Sequence, residues 1–244
     1  MKLKIKDLLN KYNLEINNIA QFGAHNGQEI EIFKDISNGK LHLFEPQLNA
    51  FKELVDKTNN FEEIIVYNVG LGSLKSEKYL FVDKENDGQS ASIYKPKLHL
   101  DIFPGISFQN KEKISIKTFD SFNLEVDLIS IDIQGAELDA LIGSKNSLKF
   151  TKCLVVEVSR EELYENQPSV KDIDVFLNNN NFVRVSTKWA ESGKFLYGDA
   201  FYIKKEFISI FNVKLSLLKN FIYDKKSLAK FKYFISRVKY KIGL

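Results

Sequence analysis

Residues 126–144 read VDLISIDIQGAELDALIGS: an apolar strand-like run over 126–133, a turn at Gly135, and a helical stretch led by Glu137. The same succession recurs on both sides of it. Apolar runs at 19–22, 41–44, 64–69 and 153–158 alternate with helix-like stretches at 28–34, 48–58, 136–148 and 170–178. Strands alternating with helices imply a parallel sheet covered on both faces, and right-handed crossovers make it doubly wound. Strand ends of such sheets open onto the ligand crevice, so Asp132 and Glu137, five residues apart across the turn, are expected to face it. Two carboxylates there can hold a substrate hydroxyl or draw off its proton. Equally, Glu137 can complement the helix N-terminus while Asp132 caps it, and the spacing does not choose.

Between the third and fourth strands the alternation breaks. Strand pieces at 79–82 and 113–117 flank a polar loop with Asn86, Asp87 and Gly88, an insertion suited to a substrate lid. After the last helix, 182–186 and 200–203 read as strands joined by a loop containing Trp189, Gly193 and Gly198, an antiparallel hairpin closing the sheet edge. Residues 207–223 form a helical pattern with a narrow polar stripe (Ser209, Asn212, Ser216, Lys219, Asn220), so most of that helix is expected to be buried. Residues 224–242 place Leu228, Phe231, Ile235, Val238 and Ile242 on one face of a basic amphipathic helix. The chain thus divides into a domain at 1–203 and a basic helical extension at 204–244.

With 244 residues, 44% of them hydrophobic and 27% charged, the chain suits one α/β domain with an appendage. The net charge of +3 is unevenly spread: residues 204–244 hold eleven Lys/Arg against two acids, and residues 1–203 hold 24 against 30. Lys outnumbers Arg 32 to 3, leaving few planar forks for guanine edges or phosphates, and no nucleic-acid partner is expected. One Cys, Cys153, cannot form an internal disulfide, and three His (His25, His42, His99) do not build a Cys/His zinc cage. The opening MKLKIKDLLNKYNLEI lacks the apolar centre of a signal peptide, and no apolar run reaches the roughly 18 residues of a membrane span, so a cytoplasmic protein is expected.

In IAQFGAHNGQEI (19–30) a strand enters a turn bounded by Gly23 and Gly27, where glycines let the backbone approach a ligand and N–H groups at the helix start face it. The next strand ends in Glu45, placed to accept hydrogen bonds from two ribose hydroxyls, and Pro46 stops that strand. A dinucleotide fingerprint reads G-x-G-x-x-G, whereas this loop is G-x-x-x-G with Ala24 and His25 inside, leaving less room for a pyrophosphate. S-adenosylmethionine, with ribose and adenine but no phosphate, suits it better than NAD. His25 reads either as a cofactor contact or base, or as polar filler; Asn68, at the third strand end near adenine, reads equally as an ordinary turn. Asp120 reads as a cap on a short helix. Asp132 and Glu137 have no clear third ligand, so no metal is assigned.

FGAHNGQ, LFEPQ, NVGLGS, SASIYKP, TFDSF, IDIQGAELDALIGS and VVEVS occur in the order found in the FkbM family of S-adenosylmethionine-dependent methyltransferases, and the chain resembles that family over about residues 17–203. The resemblance implies a Rossmann-like, mostly parallel methyltransferase sheet with a C-terminal antiparallel hairpin, and O-methylation of a hydroxyl on a sugar, polysaccharide precursor or related small molecule. It implies cofactor contacts at Gln21, Gly23, Ala24, His25, Gly27, Glu45, Pro46, Asn68 and Asp132. Catalytic candidates are Asp132, Glu137 and His25, and substrate-side candidates are Ser92, Gln134, Glu137 and Glu157. Ser90, in the same segment as Ser92, reads as part of a solvated loop. Where family members often carry Asp, this chain has Gln21, leaving a hydrogen bond from its side-chain carbonyl in place of a charge contact to the methionine amino group. The rival reading is a catalytically inactive shell acting through 206–244 at the inner face of a membrane or in an assembly, such as a homo-oligomer.

Overall fold

The computed structural model describes residues 3–83, 85–192 and 194–223. Five parallel strands, β1 (Ile19–Phe22), β2 (Leu41–Phe44), β3 (Ile64–Tyr67), β7 (Leu128–Ile131) and β8 (Cys153–Ser159), join an antiparallel pair, β9 (Phe182–Trp189) and β10 (Tyr197–Lys204). The order is β3-β2-β1-β7-β8-β10-β9, so the chain reverses its winding at β1, where a crevice opens between β1 and β7. Every residue of β1, β2 and β7 is buried, as strands covered on both faces require.

Alternation along each strand divides the core between the faces. Ala20, Phe22, Ile129, Ile131, Leu154 and Val156 pack on one side with α5 (Glu137–Ile142) and α6 (Val170–Asn179). Ile19, Leu41, Leu43, Leu128, Cys153 and Val155 pack on the other with α1 (Ile5–Tyr12), α2 (Ile30–Lys34) and α3 (Leu48–Thr58). At the crevice end of the first face, Phe22, Phe44, Tyr67, Phe119 and Phe122 form an aromatic layer, with Phe44 stacked on Tyr67 at 4.5 Å between centroids. Such pairs contribute about 0.5–1.5 kcal/mol each beyond area burial, and this layer stiffens the crevice floor.

The insertion is a small sheet of its own, β4 (Gly70–Leu71), β6 (Asn110–Lys117) and β5 (Ser76–Val82) in that order, plus the short α4 (Leu98–Ile102). Several expected boundaries shift. The stretch at 136–148 is not one helix: α5 stops at Gly143, whose Cβ position would lie 2.0 Å from the Gly72 carbonyl oxygen, and a separate 3-10 turn follows at Ser147–Lys149. Asp120 caps that turn, accepting from the N–H groups of Asn146 and Ser147 at 2.9 and 2.8 Å. Trp189 and Gly198 belong to β9 and β10, where they pair with each other, rather than to the connecting loop.

The largest correction concerns α7 (Ile210–Tyr223). Ile208 and Val213 meet the core and Asn220 Nδ2 donates to the Arg184 carbonyl at 2.9 Å, but Ile210 and Phe211 are 76% and 73% exposed and Leu217 and Leu218 are exposed as well. One face is docked on the β9 edge; the other has no cover among the described residues. The amphipathic helix expected at 224–242, and Gly193, lie outside the described residues. None of the described helices is long and apolar enough to cross a membrane.

Candidate functional site

A cavity of about 820 Å³ opens at the C-terminal ends of β1, β2, β7 and β8, roofed by the insertion and by the hairpin between β9 and β10. Its wall includes Gln21, Gly23, Ala24, His25, Glu45, Pro46, Asp132, Gln134 and Glu157 from the sequence-based set. Gly27, Asn68, Ser92 and Glu137 are not on it. The size lies within the usual range of ligand pockets, roughly 300–1,000 Å³.

At the β1 end, the N–H groups of Gly23 and Ala24 both reach the Phe44 carbonyl, at 2.9 and 3.1 Å, and fold the chain across the tip of β2. Gly23 has φ +80°, and a Cβ there would sit 2.0 Å from the Asp132 carbonyl oxygen, so only glycine lets the loop cross β7 this closely. Gly27 also has positive φ, but its missing Cβ makes room for Ile30 and Leu54. Its role is packing, and α2 begins only at Ile30, so the expected helix start at the ligand is not formed.

Glu45 is 2% exposed and holds the next corner: Oε2 accepts from His25 N–H at 2.8 Å and Oε1 from Gln47 N–H at 2.7 Å. Each oxygen keeps a lone pair for a further donor. Asn68 supports this corner from behind, its Nδ2 donating to the carbonyls of Glu45 and Pro46 at 3.0 and 3.1 Å, while Val69, Gly70 and Leu71 take the wall position expected of it. Gln21 donates through Nε2 to Glu29 at 2.7 Å, and its Oε1 is buried without a partner. His25 straps loop to insertion, its Nε2–H reaching the Asp87 carbonyl at 2.8 Å.

The 126–144 segment resolves into an exact division of labour between its two acids. Glu137, 1% exposed, accepts on Oε1 from Gly135 N–H at 2.9 Å and Ile133 N–H at 3.2 Å, clasping the turn and facing away from the cavity. Of the two open readings, the turn-holding one describes Glu137. Asp132 faces the cavity, where Gln134 Nε2 donates to its Oδ1 at 2.6 Å and to Glu157 Oε2 at 3.2 Å. Gln134 is itself held in the left-handed region (φ +53°), Tyr164 hydroxyl lying 2.9 Å from its Oε1 and Ser92 Oγ donating to its carbonyl at 2.6 Å. Ser92 therefore braces the turn from the interior instead of meeting substrate, and Ser90, expected in solvent, is buried with its N–H on Asp83.

Asp132 is exposed where the cavity opens but is flanked closely by protein: desolvation first, then the charges of Glu29 and Asp199, raise its pKa to about 6. Burial also raises Glu45 and Glu137 from 4.5 to about 7 against the pull of their backbone hydrogen bonds. Both ionise near 4.5 in an unfolded chain but near 7 in the fold, so their contribution to stability is complete below about pH 4.5 and is lost as pH rises through about 7. Unfolding midpoints are expected to be higher at about pH 5 than at about pH 8, with Glu137→Gln narrowing the gap. Midpoints that climb over that interval contradict these shifts.

Sequence reasoning missed Glu29, His99, Phe103, Tyr197 and Asp199, all on the wall. The available signal was Asp199, an acid inside an apolar strand run opposite Glu157 in the β8–β10 register. Among the described residues no group of three or more His, Cys, Asp or Glu is arranged to hold a metal ion.

The sequence pattern of the methyltransferase FkbM domain matches residues 21–184, from β1 into β9. Over 167 residues the chain is 26% identical to the 2-O-methyltransferase NoeI of Sinorhizobium fredii (strain NBRC 101917 / NGR234), covering 64% of this chain and 68% of that protein. Among solved structures, Sp1610 of Streptococcus pneumoniae, a candidate tRNA (m1A22) methyltransferase, superposes with a TM-score of 0.50 at 14% identity, covering 100% of this chain and 89% of the other. N-methyltransferase NodS of Bradyrhizobium japonicum WM9 gives a TM-score of 0.47 at 10% identity, covering 82% of this chain and 86% of that one.

Proposed function

Since this chain belongs to the FkbM methyltransferase family, we propose that it is an O-methyltransferase that uses S-adenosylmethionine and acts on a hydroxyl of a sugar or related small molecule. The observation carrying the reading is Asp132, a carboxylate on the cavity wall aimed by Gln134 and opposite a second polar corner at Glu45. That corner fits the donor. Glu45 offers remaining lone pairs to the ribose hydroxyls, and the buried, unpartnered Oε1 of Gln21 offers an acceptor to the methionine ammonium. The 2-O-methyl activity named for NoeI supports oxygen as the atom methylated.

When bound, S-adenosylmethionine supplies a methyl group on a good leaving group, sulfonium sulfur. The protein's part is placement and proton removal. Holding reactants in line contributes up to roughly 7–11 kcal/mol of barrier reduction. Asp132, largely ionised at pH 7 with its pKa near 6, takes the hydroxyl proton; Gln134 fixes its orientation and links it to Glu157. His25 touches donor and insertion loops together, and Glu137 and Ser92 position the turn from behind the wall.

The test is thermal. S-adenosylhomocysteine at 100 times its Kd stabilises a one-site protein by about 2.7 kcal/mol, which for a domain of this size is about 5–10 °C in Tm. NAD at the same concentration is expected to leave Tm unchanged. A shift with NAD and none with S-adenosylhomocysteine overturns the reading.

The face of α7 that no described residue covers favours a second element: contact with an anionic lipid surface through 206–244. Ile210, Phe211, Leu217 and Leu218 are exposed, and the sequence immediately after α7 carries seven Lys/Arg and one acid over 224–242. Full-length protein is expected to float with phosphatidylglycerol vesicles at low salt and to stay behind with phosphatidylcholine; Phe211→Asp weakens flotation. Equal failure to float on both removes the proposal, leaving 224–244 or a second copy as the cover.

A further inference from the structure

Gln134 supports Asp132 only while its side-chain amide is held one way round. Nε2 carries both amide hydrogens and gives one to Asp132 Oδ1 at 2.6 Å and the other to Glu157 Oε2 at 3.2 Å. Turning the amide over exchanges nitrogen for an oxygen of nearly the same shape and sets Oε1 against both acids. An ionised Asp132 resists that reversal; a protonated Asp132 accepts it, because its O–H can donate to Oε1. What holds the amide is therefore a donor on the other side. Among the described residues Gln134 Oε1 meets one such group, the Tyr164 hydroxyl at 2.9 Å.

Tyr164 lies in the loop between β8 and α6, 1% exposed and off the cavity wall, so it acts on the cavity through Gln134 alone. Gln167 closes that loop, its Oε1 accepting from the N–H groups of Leu163 and Tyr164 at 3.0 and 3.3 Å. From the insertion, Pro96 pairs with Tyr164 as a β-bridge, and the His99 ring packs on the tyrosine ring at 5.3 Å. Burial, and then the charges of Glu157, Asp132, Glu137 and Asp83, hold the phenol pKa well above 10, so near neutrality the hydroxyl always has a proton to give. That single proton has two acceptors at almost equal reach, Gln134 Oε1 and the Ser90 carbonyl at 3.0 Å. Donation from Nε2 to an ionised carboxylate enriches Oε1 in electron density. Ionised Asp132 thus draws the tyrosine proton to Gln134, and protonated Asp132 releases it to Ser90.

Several elements act on the charge of Asp132. Glu29 before α2 and Asp199 on β10 raise its pKa, the amino terminus lowers it, and Glu137, Glu157 and Tyr197 are close enough to interact with it. The hydrogen bond from Gln134 also lowers it, and this is the contribution that Tyr164 governs.

Resting on the methyl-transfer reading above, we propose that Tyr164 is a positioning residue for the base: its hydroxyl locks the Gln134 amide with nitrogen toward Asp132 and so keeps that carboxylate a proton acceptor at neutral pH.

Tyr164→Phe in the full-length protein is read in two ways. Carbon-13 NMR of carboxyl-labelled aspartate follows Asp132 directly, without substrate. Initial rates of methyl transfer to whichever member of a panel of methyl hexopyranosides serves as acceptor follow it in turnover. Loss of the hydroxyl is expected to raise the Asp132 midpoint by about one pH unit, the size of a lost hydrogen bond to a charged group. Turnover at pH 6 then falls about fivefold and returns to within about threefold of native above pH 8, while S-adenosylhomocysteine affinity stays within about twofold. Gln134→Met removes the amide itself and is expected to raise the midpoint as far, with Tyr164→Phe adding nothing on top of it. Tyr94→Phe, which takes a hydroxyl from Asp139 at 3.1 Å, is expected to move neither reading.

An unchanged Asp132 midpoint in Tyr164→Phe, or turnover lowered equally at every pH, reduces Tyr164 to packing and overturns the proposal. So does an equal shift in Tyr94→Phe. If Tyr164→Phe does not fold, native protein labelled with carbon-13 at tyrosine Cζ decides: the Tyr164 signal is expected to titrate in step with Asp132 near pH 6, and a flat signal overturns the proposal. Failure to bind S-adenosylhomocysteine, or to methylate any of the glycosides, counts instead against the reading beneath it, and the NMR result stands apart from both.

Discussion

Asp132→Asn is expected to lower turnover by about 10²- to 10⁴-fold, the range that a positioned general base supplies, while S-adenosylhomocysteine affinity stays within a few-fold. The substitution is close to isosteric, and Asn Oδ1 still accepts from Gln134 Nε2, which reaches Asp132 at 2.6 Å in the native protein. Shape and turn persist; the proton acceptor does not. Native turnover should rise with pH through about 6 as Asp132 ionises, and the variant should lose that limb. Calorimetry and initial rates across pH separate the two quantities. An Asp132→Asn protein turning over at native rate assigns the proton to another group.

Gly23→Ala is expected to cost about 2–5 kcal/mol of folding stability, combining a left-handed backbone with a close overlap. Its Cβ would come 2.0 Å from the Asp132 carbonyl oxygen, a backbone atom in the buried sheet that has nowhere to retreat. Two other glycines calibrate the number. Gly135 also has positive φ, at +105°, but its nearest neighbour to an added Cβ is Tyr164 Cδ2 at 3.3 Å, so Gly135→Ala should cost less, about 1–3 kcal/mol of conformational strain. Gly105 has nothing within 4 Å, and Gly105→Ala should be neutral or slightly stabilising. Urea denaturation of the three variants gives the order, and Gly23→Ala matching Gly105→Ala contradicts the crowding.

The sheet was legible because its strands are buried on both faces and carry unbroken apolar runs: β1, β2 and α3 have the bounds that periodicity predicts. Ends were harder where tertiary contact decides them. α5 ends at Gly143, which lies against the Gly72 carbonyl with no room for a Cβ, a contact that local pattern does not reveal, and β9 and β10 extend through Trp189 and Gly198 because they pair with each other. Within the cavity, residues at ends of parallel strands could be placed from spacing, since the strand fixes where they emerge. Asp132 and Glu137 look equivalent in one dimension, yet one turn of chain sends the first to the cavity and the second onto the backbone N–H groups of Ile133 and Gly135. His99 gave no signal, because its value lies in ring partners drawn from the insertion and from Tyr164, far along the chain. For α7 the apolar pattern was right and the inference of burial wrong, since apolar residues encircle the helix and the domain covers only one side.

Val82 and Asn110 face each other across β5 and β6, so the segment between them hangs from two points already held side by side. Lengthening such a loop carries only a small closure penalty, about 0.6 kcal/mol per doubling. The roof can therefore be exchanged for one of another size or chemistry while the strands beneath keep their register. Evolution, or an engineer, has here a cassette for reshaping the cavity, provided that the replacement keeps the Asp87 carbonyl that holds His25 and the Ser92 hydroxyl that braces Gln134.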